Sequence, residues 1–110
     1  MIKIKVTSNE KAKILTITVK GHSYKKNNKD IDPLCATVSA VVLGTLNALK
    51  TLFPSKKEII IEKKPGHIVF INKSTTKEIN AILQTMSIQL KTIYLYFKAG
   101  ILIQEQIEKN

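Results

Sequence analysis

His22, Asp30, Asp32, Cys35 and Ser39 bring a thiol, an imidazole and carboxylates into one short stretch of the chain. These are the parts of a cysteine hydrolase. The thiolate attacks a carbonyl, the imidazole manages the proton, and a carboxylate orients the ring. Asp32-Pro33 reads as a helix start: a capping side chain, then a proline at the first helical position, where no N–H is needed. Cys35 then occupies the third helical position, where the macrodipole and unpaired N–H groups favour an anion. The backbone N–H groups of Cys35 and Ala36 are candidate oxyanion donors, and Ser39, one turn on, can hydrogen-bond the sulfur. With Asp32 engaged in capping, Asp30 is the better candidate to orient His22. Spacing alone describes equally well an inert cysteine packed into an apolar helix face, the commoner use of a lone cysteine.

The elements that must position these residues follow from periodicity. Ile2, Ile4 and Val6 alternate with Lys3, Lys5 and Thr7, and Leu15, Ile17 and Val19 alternate with Thr16, Thr18 and Lys20. Both runs have the period of a half-buried strand, and they form a hairpin about a turn at Ser8-Asn9-Glu10-Lys11. Gly21-His22 ends the second strand, and the polar segment from Ser23 to Asp32 reads as a loop. Leu34, Val38, Val41, Val42, Leu49, Leu52 and Phe53 recur at helical spacing, which predicts a helix from Pro33 to about Leu52, stopped by Pro54. Glu58 to Lys63 and His67 to Asn72 read as a second hairpin about Pro65-Gly66, a type II turn. A second helix, capped by Ser74 or Thr75, carries the stripe Ile79, Ile82, Leu83, Met86, Leu90, Ile93, Tyr94 and Phe97 and closes at Ala99-Gly100. Residues 101–110 read either as a short edge strand or as a frayed tail. The order ββαββα predicts an α+β two-layer sandwich, with a mainly antiparallel four-stranded sheet and two helices packed on one face, in a single domain over residues 1–110.

With 110 residues, 44% hydrophobic and 24% charged, the composition is that of a soluble globular protein. The most apolar run, Ala36 to Leu49, is interrupted by Thr37, Ser39, Thr45 and Asn47, which argues against a transmembrane helix. The alternating N-terminus does not read as a signal peptide, so a cytoplasmic protein with no membrane partner is expected. One cysteine and two histidines give no disulfide and no zinc-ligand spacing, so neither a metal nor another cofactor is expected. The net charge of +10 rests on eighteen lysines and no arginine. Lysine is a point charge without arginine's planar fork, so specific nucleic-acid recognition is not expected. His67 heads a hairpin strand with no cysteine or acid at helpful spacing, and reads as a solvated strand residue.

Gly21-His22-Ser23, Lys29-Asp30-Ile31 and Cys35-Ala36-Thr37-Val38-Ser39-Ala40 resemble the GHA…G-x-DIVCAAVSAL signature of the ribosomal-processing cysteine proteases. The order of elements on both sides agrees. The resemblance implies a small homodimeric α+β endopeptidase that removes an N-terminal extension from large-subunit ribosomal protein twenty-seven. Carried over residue by residue, it makes Cys35 the nucleophile and His22 the general base and acid. Asp30 matches the acid of the family's Asp-Ile pair and Ser39 its Val-Ser-Ala serine, and Gly21, Ser39 and the Ala36 N–H stand on the substrate side. The implied partner is the ribosomal protein precursor, with loop lysines steering the enzyme to ribosomal assemblies.

Two positions depart from the signature. Asn28 stands where the family has glycine, a change that can keep a turn because asparagine tolerates positive φ. Cys35 follows Asp32-Pro33-Leu34 instead of coming one residue after the Asp-Ile pair, which leaves open whether Asp30 or Asp32 orients His22. The helical phase of Cys35 against Val38, Ser39 and Val42 is kept. Two rival readings stand beside the protease. One is a non-enzymatic ribosome- or RNA-associated basic protein with Cys35 in its core; the other is an inactive family member that binds the extension without cutting it.

Overall fold

Period-two segments at both ends of the chain build the sheet in a computed structural model that describes residues 1–21, 32–55 and 57–109. β1 (Ile2–Asn9) and β2 (Ile14–Lys20) are antiparallel, with Lys3 opposite Lys20 and Val6 opposite Ile17. β3 (Ile59–Lys64) and β4 (His67–Asn72) form the second hairpin, and Gly66 takes φ 70°, as a type II turn requires at its second central residue. β4 lies antiparallel beside β2.

The tail is a strand. After a short 3₁₀ turn at Lys98–Gly100, β5 (Ile101–Glu108) runs parallel to β1, from Ile101 beside Ile2 to Glu108 beside Asn9. The sheet is therefore five-stranded and mixed, in the order β3-β4-β2-β1-β5, where the hydropathy pattern predicts four mainly antiparallel strands. The physical reason is the outer edge of β1, whose N–H and C=O groups need a partner and would otherwise be open.

α1 (Pro33–Leu52) has the bounds that its cap and stop residues predict. Asp32 Oδ1 accepts the Leu34 N–H at 3.0 Å, and the Phe53 N–H bonds to Leu49 O at 3.0 Å just before Pro54. α2 (Lys77–Tyr96) starts at Thr76, not at Ser74 or Thr75. Ser74 Oγ instead accepts the Thr76 N–H at 2.9 Å, so it builds the turn that leads into the helix.

Both helices cover one face of the sheet. Ile4, Ile17, Val19, Ile68 and Phe70 from the strands meet Val38 and Val42 of α1 and Ile79, Leu83 and Met86 of α2, all buried. Each such side chain contributes about 1.5–3 kcal/mol by leaving water. By length and composition alone α1 is long and apolar enough to cross a membrane, but its buried stripe belongs to this shared core.

Candidate active site

The strand that leads to His22 ends in a backbone geometry that only glycine fits. Gly21 sits at φ 88°, its N–H donates to Gly66 O at 2.7 Å, and a Cβ there would lie 2.6 Å from Met1 O. Positive φ and the close approach of β1 both exclude a side chain. His22 and Asp30 lie outside the described residues, as does the loop between them. What the structure fixes on that side is the exit of the chain from β2.

On the other side, Cys35 is the third residue of α1. It packs against the rim of the core and is half-buried, so it is not sealed inside the core. Its thiol donates to Asp32 Oδ2 at 3.5 Å. Asp32 thus uses one oxygen on the Leu34 N–H and the other on the thiol. Sequence reasoning assigned it only the first of these. The i, i+3 spacing of Asp32 and Cys35 at a helix start was the available signal for the second.

The Ala36 N–H donates to the Asp32 carbonyl at 2.9 Å, the first hydrogen bond of the helix. The Ala36 N–H, which the sequence suggests as an oxyanion donor, is thus engaged within the helix. An N–H at the fourth helical position already has a carbonyl one turn back, whereas those before it do not. The Cys35 N–H has no acceptor among the described residues and is the donor left beside the sulfur. Ser39 lies one turn further along α1 and is buried, with Val38 and Val42 in the core.

His67 is not a solvated strand residue. It is half-buried at the head of β4, and its Nε2 is shielded from solvent with no hydrogen-bond partner among the described residues. It stands opposite Lys20 on one side and Lys64 on the other, far in role from the thiol.

A half-buried thiol in the first turn of a helix, where the macrodipole favours an anion, can act as a nucleophile, and an uncommitted N–H beside it can meet an oxyanion. Comparison with known proteins narrows the class. The family model described as cysteine protease Prp matches residues 1–101, and the chain belongs to that family. The ribosomal processing cysteine protease Prp of Staphylococcus aureus, in two strains, is 33% identical over 95 residues, covering 84% of this chain and 88% of the relative. The crystal structure of the essential ribosomal processing protease Prp from S. aureus with a substrate peptide superposes with a TM-score of 0.81 at 28% identity, covering 96% of this chain and 99% of that one. The same enzyme with a covalently linked product peptide gives a TM-score of 0.80 at 28% identity over the same shares.

Proposed function

We propose that this chain is a cysteine endopeptidase that removes the N-terminal extension of a ribosomal protein precursor, large-subunit ribosomal protein twenty-seven, during ribosome assembly in the cytoplasm. The observation that carries this reading is the half-buried Cys35 thiol in the first turn of α1 in a chain of this family. Relatives named for ribosomal processing, one solved with a substrate peptide, support it.

In the proposed reaction His22 takes the thiol proton and Cys35 Sγ attacks the scissile carbonyl carbon. The oxyanion so formed meets the Cys35 N–H, and the positive end of the α1 dipole adds to its stabilisation. Collapse breaks the C–N bond, the leaving amine takes its proton from His22, and a thioester remains. Water, deprotonated by His22, then hydrolyses the thioester and restores the thiol. Asp30 is the proposed orienter of His22, because both oxygens of Asp32 are engaged at the helix start. Gly21 lies on the substrate side of the site, with Ser39 buried one turn beyond Cys35.

The same reading takes the enzyme as a homodimer. A groove of about 650 Å³ between α2 and β5 is lined by Met1, Ile88, Leu95, Leu102 and Ile103. Ile88 is 61% exposed and Leu95 64%, apolar surface that a second copy would cover, beside the Lys91–Glu105 ion pair and Lys98 in the same groove.

The test is incubation of the purified protein and its Cys35→Ala and His22→Ala variants with the precursor, reading the new N-terminus by mass spectrometry. Cleavage by the native chain that is lost in both variants is the expected result. A native chain that binds the precursor but leaves it intact would turn the reading into that of an inactive family member.

A further inference from the structure

Four strands bring one row of basic side chains together on the face of the sheet that carries no helix. Lys64 of β3 is the register partner of His67 on β4, His67 of Lys20 on β2, and Lys20 of Lys3 on β1. Their chain neighbours Ile4, Val19 and Ile68 are buried under the helices, so alternation turns this row outward. Lys5, two residues along β1, extends it. Strands lie about 4.8 Å apart and alternate residues about 6.6 Å, so each group stands within about a Debye length of the next.

Like charges directly opposite across a strand pair destabilise a sheet, and Lys3 and Lys20 are such a pair. Among the described residues the only salt bridge is Lys91 with Glu105, on the other side of β1. Glu62, on the same face as the row, makes no ion pair among them. His67 Nε2 is shielded from solvent, so the row meets an outside ligand through its lysines. The row therefore concentrates positive charge that Glu62, beside Lys64 at one end, offsets only in part, at a cost to the sheet. An anion supplied from outside would relieve it.

We propose that this row is a docking face for the sugar-phosphate backbone of RNA. Lysines neutralise phosphates as point charges and do not read base edges, and the outward positions of the row carry no aromatic side chain on which a base could stack. Binding is thus independent of sequence and falls steeply with salt. A bilayer fits the face less well, because Leu102, beside Lys3 on β5, is a single exposed apolar side chain next to the row, whereas Ile88, Leu95 and Tyr96 sit on α2, in the other layer. The choice of RNA among polyphosphates rests on the ribosomal substrate proposed above. Lys20 adjoins Gly21, so the row lies at the end of the sheet from which the chain leaves toward His22.

The experiment titrates a fluorescently labelled, mixed-sequence RNA duplex with the full chain, by anisotropy, between about 50 and 200 mM salt. The face variant is Lys3→Gln, Lys5→Gln, Lys64→Gln; Lys20 is kept because it adjoins the active-site strand end. The control is Lys11→Gln, Lys73→Gln, Lys109→Gln, which removes the same charge from exposed positions elsewhere. The face variant is expected to lose affinity about tenfold or more and to show a salt slope shallower by about 2, while the control stays within about twofold of the native chain. Equal losses in the two variants, no binding by the native chain, or tighter binding to phosphatidylglycerol vesicles that the face variant loses would each overturn the proposal. Circular dichroism melts check that both variants fold. Cleavage of a free precursor peptide by the same samples reports the thiol chemistry separately. Native protein that binds RNA through the row without cutting would leave this proposal standing and remove the protease reading.

Discussion

Cys35 Sγ lies 3.5 Å from Asp32 Oδ2, while Asp32 Oδ1 accepts the Leu34 N–H at 3.0 Å. One carboxylate therefore fixes both the start of α1 and the thiol that the start presents. Its two tasks separate by substitution. Asp32→Asn keeps an oxygen for the Leu34 N–H, and Asp32→Ala keeps nothing. Asp32→Ala is expected to lower the unfolding free energy by about 1 kcal/mol and Asp32→Asn by no more than about half of that. Urea denaturation of the two variants measures it, and equal losses would show that the cap is not what Asp32 contributes.

Gly21 ends β2 at φ 88°, with Met1 O where a Cβ would be. If Met1 shifts to relieve the contact, the positive φ still opposes a side chain. Gly21→Ala is expected to destabilise the fold by about 1–3 kcal/mol. It also redirects the residue that follows, His22, so precursor cleavage measured well below the melting temperature should fall by more than the unfolded fraction explains. A variant that melts lower but cleaves at the native rate would separate Gly21 from the placement of His22.

β5 closes the open edge of β1, and its weight is concentrated at one end. Ile101 is 2% exposed beside Ile2, whereas Ile107 is 69% exposed beside Ser8. Ile101→Ala should cost about 2–4 kcal/mol, because it leaves a cavity between β5 and the core. Ile107→Ala should stay within about 0.5 kcal/mol. Thermal melts of the pair decide whether β5 belongs to the cooperative unit. Equal and small effects would make it an appendage.

The sequence showed most clearly those features whose causes are local. Both ends of α1 follow from Asp32-Pro33 and from Pro54, and the second hairpin from Pro65-Gly66, because caps and turns act within a few residues. β5 was ambiguous because two inward isoleucines make a weak alternation, and its partner β1 is at the other end of the chain. The start of α2 slipped because Ser74, Thr75 and Thr76 are all cap types, and only the fold shows that Ser74 serves the turn. At the site, the phase of Cys35 is legible, and counting helical positions from Asp32 also places the Ala36 N–H in the first hydrogen bond of the helix. The basic row on the helix-free face was invisible, since Lys3, Lys20, His67 and Lys64 meet only through the register of four strands.

That register depends on a polar clasp at the far end of the same hairpin. The pairing of β1 with β2 shifts between Thr7 and Ser8, and side chains meet both backbone groups of Ile14. Its N–H donates to Asn80 Oδ1 at 2.8 Å, and its carbonyl accepts from Asn72 Nδ2 at 2.9 Å. Asn72 is buried, and its Oδ1 accepts the Ser74 N–H at 2.9 Å, so one amide ties β2 to the turn before α2. Asn72→Ala strands a carbonyl and an N–H and should cost about 1–3 kcal/mol. Asn72→Asp keeps the acceptor for Ser74 but sets a carboxylate against the Ile14 carbonyl, so at neutral pH it should cost at least as much. Protonation turns that carboxylate into a donor. The penalty is therefore present while the group is ionised and shrinks as the pH falls into the carboxylate range, near about 4. Urea denaturation of both variants at neutral and acid pH measures this. A penalty for Asn72→Asp that stays constant relative to Asn72→Ala across that range would mean that the Ile14 carbonyl does not depend on the amide.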